Sequence, residues 1–155
     1  MHWLFRLLGR RVRFIVEREH WTVGLCSDLP DGRHILMWDF DESELAAVAS
    51  RLASVQRRYE LPTVYVLQTR PGHYHAYALD RRPWVEARSI VAGTPGIDVV
   101  WYGLCLKRGF FTLRIGPRGE DARPRPVLVL PGRVPDRARW EDLEHLSMYT
   151  TPKGG

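Results

Sequence analysis

Two pairs of residues carry the chemistry this sequence can do. Asp39 and Asp41 stand two apart at the end of the run ILMWDFD, and His73 and His75 stand two apart in HYHAYAL. Side chains alternate along a strand, so the members of each pair share one face of their strand. Two carboxylates at that spacing repel unless a cation sits between them. A hard divalent ion such as Mg²⁺ takes a couple of carboxylates together with water and phosphate oxygens. The plain alternative is a strand running into solvent, with Asp41 and Glu42 capping the next helix. A single strand histidine is ordinarily structural. A carboxylate pair flanked by histidines is harder to assign to packing.

The elements that must position these pairs follow from hydrophobic periodicity. Residues 34–41 are a β-rich run after the turn signal Pro30-Asp31-Gly32. Ser43 and Glu44 open an amphipathic helix reaching Tyr59, with Leu45, Val48, Leu52 and Val55 at helical spacing. Residues 63–68 are a second strand, Arg70-Pro71-Gly72 a turn, and residues 73–79 a third strand. Pro83 starts a short helix to Ala92, stopped by Gly93-Thr94-Pro95-Gly96. Residues 97–106 read as a strand with 110–115 as its hairpin partner.

This order is β-α-β-β-α-β, which predicts an α+β protein with an RRM-like, ferredoxin-like antiparallel sheet over residues 34–118. In that topology the first and third strands are central neighbours. Leu36, Trp38 and Phe40 then face the helices, and the histidine face lies beside Asp39 and Asp41. Strands at 12–16, 21–26 and 126–130 flank the unit, and residues 139–149 predict a short closing helix.

A length of 155 residues with 45% hydrophobic content suits one domain with its own core, spanning 1–155. No apolar run approaches the roughly 18 residues of a bilayer span. Arg6 interrupts the short apolar N-terminal stretch, so a signal peptide is not expected and a cytoplasmic location is. Cys26 and Cys105 lack CxxC partners, which indicates neither a disulfide framework nor a zinc knuckle.

The net charge of +5 is carried by arginine, since the only lysines are Lys107 and Lys153. Arginine forks suit phosphate, and a G+C-rich genome accounts for the composition equally well. Residues 99–119 hold Lys107, Arg108, Arg114 and Arg118 with no acid. Trp101, Tyr102, Phe110 and Phe111 interleave with them. This run is a solvated basic hairpin or a nucleic-acid contact.

Three pieces of the chain resemble the catalytic core of archaeo-eukaryotic primases and primase-polymerases. ILMWDFD is similar to that family's first motif, with Asp39 and Asp41 at its metal ligands. Residues 69–77, TRPGHYHAY, are similar to its turn-and-histidine motif, with His75 at the phosphate-binding histidine. Ile97-Asp98 followed by RGFFTLRI is similar to its third motif and makes Asp98 the third carboxylate. Pro71 and His73 depart from the family's turn, because proline offers no N–H to a phosphate.

The resemblance implies two-metal nucleotidyl transfer. Asp39, Asp41 and Asp98 would hold Mg²⁺ or Mn²⁺, and His75, Arg108 and Arg114 would bind a nucleoside triphosphate. Lys107 and Arg118 would contact a DNA or RNA template, with a helicase or other replication protein as a further partner and no membrane involved.

Two other readings compete. His73-Tyr74-His75 fits the His-hydrophobic-His pattern of rolling-circle initiators and relaxases. Those enzymes need a nucleophilic tyrosine on a later helix, which 83–92 lacks. Tyr149 and Lys153 have suggestive spacing, but Pro152 opposes a helix through them. The other reading is a non-catalytic RRM-like nucleic-acid-binding domain, although Asp39, His73 and His75 occupy the places of its stacking aromatics. The N-terminal Trp3, Leu4, Leu7 and Leu8 among Arg10, Arg11 and Arg13 would dock a partner or form a helix packed on the domain.

Overall fold

The computed structural model describes residues 2–7, 10–15, 21–41, 43–118 and 122–150. It is an α+β fold with three helices, a four-stranded and a three-stranded antiparallel sheet, and a separate two-stranded hairpin. The hairpin pairs β1 (His2–Leu7) with β2 (Arg10–Ile15). The N-terminal stretch expected as a packed helix or docking segment is thus a strand. Its side chains, together with Val16, Glu42, Gly119 and Lys153, lie outside the described residues.

β3 (Trp21–Cys26) is the middle of the three-stranded sheet. β4 (His34–Phe40) leads into α1 (Leu45–Tyr59), β5 (Val64–Arg70), β6 (His73–Arg82) and α2 (Trp84–Ala92). Thus far the expected order holds. Leu36, Trp38 and Phe40 are buried with Val48, Leu52 and Val55 of α1 and with Ile90 and Val91 of α2. The Trp38 indole donates to Thr94 Oγ1 at 2.9 Å, which satisfies the polar edge of a fully buried ring. The helix after β4 begins at Leu45 with Glu44 as its N-cap, and no side chain caps it.

Beyond α2 the chain departs from the expected topology. Residues 97–106 form no strand: α3 spans Val99–Arg108. Its β-branched and aromatic start favours a strand by propensity, but two caps outweigh that preference. Asp98 Oδ1 accepts from the Val100 and Trp101 N–H groups at 2.8 and 3.2 Å. Gly109, at φ 83°, closes the other end in the left-handed region.

Without that strand, 110–115 finds a different partner. β7 (Thr112–Arg114) pairs with β3, not in a hairpin with 97–106. The expected closing helix is also replaced. Trp140–Asp142 makes a single 3-10 turn, and β9 (Leu146–Thr150) pairs with the other edge of β3.

The four-stranded order is β4-β6-β5-β8, with β8 at Arg125–Leu130. β4 and β6 are neighbours as expected, yet β4 lies at an edge rather than at the centre. That edge is covered: the Ile35 N–H donates to Ser27 O at 2.9 Å, and Asp39 O accepts from the Asp98 N–H at 2.8 Å. The sheet face opposite the helices is not open along its length. Ile35 and Met37 are fully buried, and Trp140 packs edge-on against Tyr65 and Tyr77 at 5.7 Å. At the end that carries Asp39 and His75 the face opens as a cleft.

A buried ion network ties β6 to the segment that covers this face. The fully buried Asp80 carboxylate accepts from Arg82 Nε and Arg137 Nη1, each at 2.7 Å. Beside it, Arg81 bridges Asp31 at 2.7 Å and Asp142 at 3.0 Å. Burial alone would raise the Asp80 pKa, but the hydrogen bonds from Arg137 and Arg82 outweigh it and hold the value below the ordinary carboxylate range.

Asp80→Ala is therefore expected to destabilise the fold by about 3 kcal/mol in urea denaturation, at the lower end for a broken buried pair because both arginines reach solvent. The sign of the pH dependence follows from the lowered value. The stabilisation is complete above the unfolded carboxylate pKa of about 4 and is lost as pH falls through the lower folded value. Unfolding curves for wild type and Asp80→Ala should converge in that acid range.

Candidate active site

β4 and β6 pair so that Asp39 lies directly opposite His75, Phe40 opposite Tyr74 and Trp38 opposite Ala76. With the large Trp38 and small Ala76 turned to the helices, Asp39 and His75 are turned together to the other face. The His75 ring nitrogen Nε2 is 3.8 Å from Asp39 Oδ1. One step along, His73 Nδ1 meets Asp41 Oδ1 at 2.5 Å. The two pairs read from the sequence are thus interleaved as two carboxylate–imidazole contacts across adjacent strands.

The turn between β5 and β6 fixes how His73 enters. Pro71 precedes Gly72, whose φ of 76° is the left-handed value that a turn of this kind needs and that an L side chain resists. The Gly72 carbonyl accepts from the Ser43 N–H at 2.9 Å, and Thr69 Oγ1 donates to His73 O at 3.3 Å. The carbonyl of the turn is therefore tied to the entry of α1.

Asp98 reaches the same place by another route. Its N–H bonds Asp39 O, so the N-terminus of α3 is pinned to the end of β4. Both helix-capping bonds use Oδ1. Opposite the carboxylates stands Arg114 on β7, almost fully buried, with Nη1 donating to Gly116 O at 2.9 Å and Ala122 O at 3.0 Å.

These groups line a cleft of about 140 Å³, together with Arg70 and Arg118. Trp101, Thr69, Thr112 and Leu113 fill the remaining wall. Asp41 is turned towards His73 and Asp98 towards its own helix, so the three carboxylates line the cleft without closing on a single point.

Of the residues singled out in the sequence, Asp39, Asp41, Asp98, His75, Arg114 and Arg118 come together here. Lys107 and Arg108 do not. They occupy the last turn of α3, about 15 Å along the helix axis from Asp98, where cations complement the helix dipole. Their assignment to nucleotide and template binding rested on a hairpin that does not form. His73, read with His75 as one strand face, lies here too, although the motifs gave no role to it or to Arg70.

Thr69 and Arg70 are shared with a second groove of about 320 Å³, lined further by Gln68, Pro71, Ala122, Arg123 and Arg125. Arg125 donates to Gln68 Oε1 at 2.9 Å. Among the described residues, three arginines and no acid line this groove, and it shares Thr69 and Arg70 with the cleft.

The electrostatics of the cleft are unbalanced. Burial, followed by the nearby charges of Asp41 and Asp98, pushes the Asp39 pKa up to about 8, and Arg114 offsets only part of this. Burial, then the charge of Arg114, pushes His75 down to about 3, so its imidazole is neutral. Its Nδ1 atom is buried without a hydrogen-bond partner. A carboxylate that cannot ionise comfortably and a neutral imidazole thus stand side by side in the cleft wall. No protein-family model matches the chain, and neither a curated protein nor a solved structure matches it.

Asp39→Asn tests the electrostatic imbalance. With its folded pKa above the unfolded value, wild-type Asp39 costs no stability below about pH 4, and the cost grows as pH rises to about 8. In metal-free buffer the variant should match wild type near pH 4. It should exceed the wild-type Tm by about 4 °C or more at pH 8, read by calorimetry.

Proposed function

We propose that the protein is a metal-dependent nucleotidyltransferase acting on nucleic acid, a DNA primase or polymerase of the archaeo-eukaryotic primase type. The observation that carries this reading is one cleft lined by three carboxylates, two histidines and three arginines, all but Arg118 drawn from the three motifs. Acid alone would suit a metal store, and arginine alone a phosphate sink. Both across one small cleft suit a reaction that joins metal ions to a triphosphate.

The donor set fits hard divalent ions. Three carboxylates supply oxygen ligands only, the preference of Mg²⁺ and Mn²⁺, and the raised Asp39 pKa marks a site short of positive charge. Asp39, Asp41 and Asp98 would hold the ions, with Asp41 exchanging its contact with His73 for the metal. When bound, the metal supplies activation of a 3′-hydroxyl and neutralisation of the leaving pyrophosphate.

The chain's own groups would do the rest. Neutral His75 offers an N–H to a phosphate oxygen without adding charge beside Asp39. Arg118 and Arg70 bring bidentate forks to the triphosphate from the cleft wall. Arg114 is committed to the carbonyls of Gly116 and Ala122, so it fixes the local field and holds this wall in place. Gly72 sets the turn, while Pro71 leaves its phosphate grip to side chains. A single-stranded template would leave the cleft over Arg70, Arg123 and Arg125, a phosphate path in place of the one assigned to Lys107.

The relaxase reading is less well supported. Tyr149 belongs to strand β9 rather than to a helix, and α2 carries no tyrosine. The RRM-like binding module leaves the carboxylates that line the cleft without a purpose.

Nucleotide incorporation with Mn²⁺ on primed and unprimed templates is the direct test. Wild type should extend or prime, and Asp39→Ala/Asp41→Ala should lose activity by at least about 100-fold. Arg118→Ala should raise KM for the nucleotide about 10-fold. Metal-independent activity, or full activity in the double variant, sinks the assignment. For template binding, Arg123→Ala/Arg125→Ala should make the salt dependence of single-strand affinity shallower, by roughly 0.7 for each phosphate no longer neutralised. Lys107→Ala should leave that slope unchanged.

A further inference from the structure

Away from the cleft, the fold gathers three side chains of another chemistry. Cys26 ends β3, Asp28 follows two residues later, and His145 immediately precedes β9. The cysteine sulfur, a carboxylate oxygen and a ring nitrogen all lie within 4.8 Å of one another, and this is the only such cluster among the described residues. We propose that Cys26, Asp28 and His145 form a binding site for a zinc-class divalent ion that staples β9 to β3.

The geometry is set by backbone rather than by flexible side chains. The Cys26 N–H donates to His145 O at 3.0 Å, and Leu25 pairs with Leu146 in the β3–β9 register. The positions of Cys26 and His145 are thereby fixed by sheet pairing before any ligand binds. His145 Nδ1 lies 3.1 and 3.0 Å from the two Asp28 oxygens, and its ring rests against Phe110 at 5.3 Å between centroids. These contacts hold the imidazole nitrogen towards the cluster.

The donor set selects the ion. A thiolate with an imidazole favours Zn²⁺ over Mg²⁺ or Ca²⁺, and three protein ligands plus one water is a common zinc arrangement. Cys26 is buried, Asp28 half-buried and His145 half-exposed. The ion is therefore reached from the surface while its sulfur is shielded beneath. Binding releases the thiol proton to solvent as the Zn–S bond forms, with no change of oxidation state. An ordinary surface hydrogen bond between His145 and Asp28 accounts for two of the three groups and requires no metal, so the two readings separate experimentally.

The consequence is mechanical. β3 pairs with β9 on one side and with β7 on the other, and Cys26 Sγ lies 3.7 Å from Thr112 Oγ1 at the start of β7. β7 also carries Arg114. A staple here ties the C-terminal strand to the sheet that supports one wall of the cleft.

The test uses the full chain stripped by a chelator and titrated with Co²⁺ and then Zn²⁺. Wild type should develop a thiolate-to-cobalt absorption band that saturates at a single equivalent and is displaced by Zn²⁺, and Zn²⁺ should raise its Tm. Cys26→Ser should abolish the band. Asp28→Asn and His145→Gln, at the surface and outside the core, should weaken binding and remove the Tm gain. Asp39→Asn/Asp41→Asn should retain both band and gain, which separates this site from the cleft. Absence of the band in folded wild type, or a Zn²⁺-induced Tm gain unchanged in both Asp28→Asn and His145→Gln, overturns the proposal.

Discussion

The pairing of β4 with β6 in one register is the constraint on which the rest of the molecule depends. Trp38 and Phe40 enter the core with the buried residues of α1 and α2. Strand alternation then leaves Asp39 no choice of face. A slip of one residue would bury Asp39 under the helices and expose Trp38, at a cost far above the few kcal/mol of a domain's net stability. The hydrophobic core thus specifies the position of the charged site, and Ala76 opposite Trp38 supplies the clearance that makes the register fit.

That placement imposes a charge problem on the folded chain. Asp39 is driven towards its neutral form by burial beside two other acids, and His75 is driven towards its neutral form by burial beside Arg114. Each group would be more comfortable with its charge partner in water. A cluster kept under such strain is unusual for a purely structural role, since a hydrophobic pair in the same register would pack with less cost. The Asp80 network makes the comparison within the same protein. There a buried carboxylate has two arginines on its two oxygens and remains ionised. At Asp39 the nearby cation, Arg114, also directs a guanidinium nitrogen to backbone carbonyls, and its charge offsets only part of the effect of burial and the neighbouring acids.

Much of this was legible in the sequence, and the parts that were not share a physical reason. The β-α-β-β-α order through Ala92 follows from the helical spacing of α1 and the β-rich runs between turn signals. At α3 that signal fails: Val99, Val100, Trp101 and Tyr102 are strand formers by propensity, and only the capping bonds of Asp98 and the left-handed Gly109 make them a helix. Residues 139–149 mislead in the opposite sense. Their Trp, Leu and Met spacing suits a helix, but the free edge of β3 captures Leu146–Thr150 as a strand. Sheet edges are long-range facts, and local pattern does not report them. The same limit hid the meeting of Cys26 with His145, which are joined only by that edge pairing.

The two ends of α3 differ in how firmly the fold holds them to the cleft. Asp98 was expected at the foot of a strand beside β4, and it lies instead at the head of a helix. It still reaches the cleft, because its N–H is bonded to Asp39 O at the edge of β4 that this segment covers. A strand in that position would have satisfied the same edge carbonyl, so helix and strand are alternative ways of bringing this residue to Asp39. Arg108 sits in the last turn of the same element, so a change from strand to helix carries it to the far end of α3. Asp98, anchored by a backbone bond to β4, keeps its place although the element around it changes.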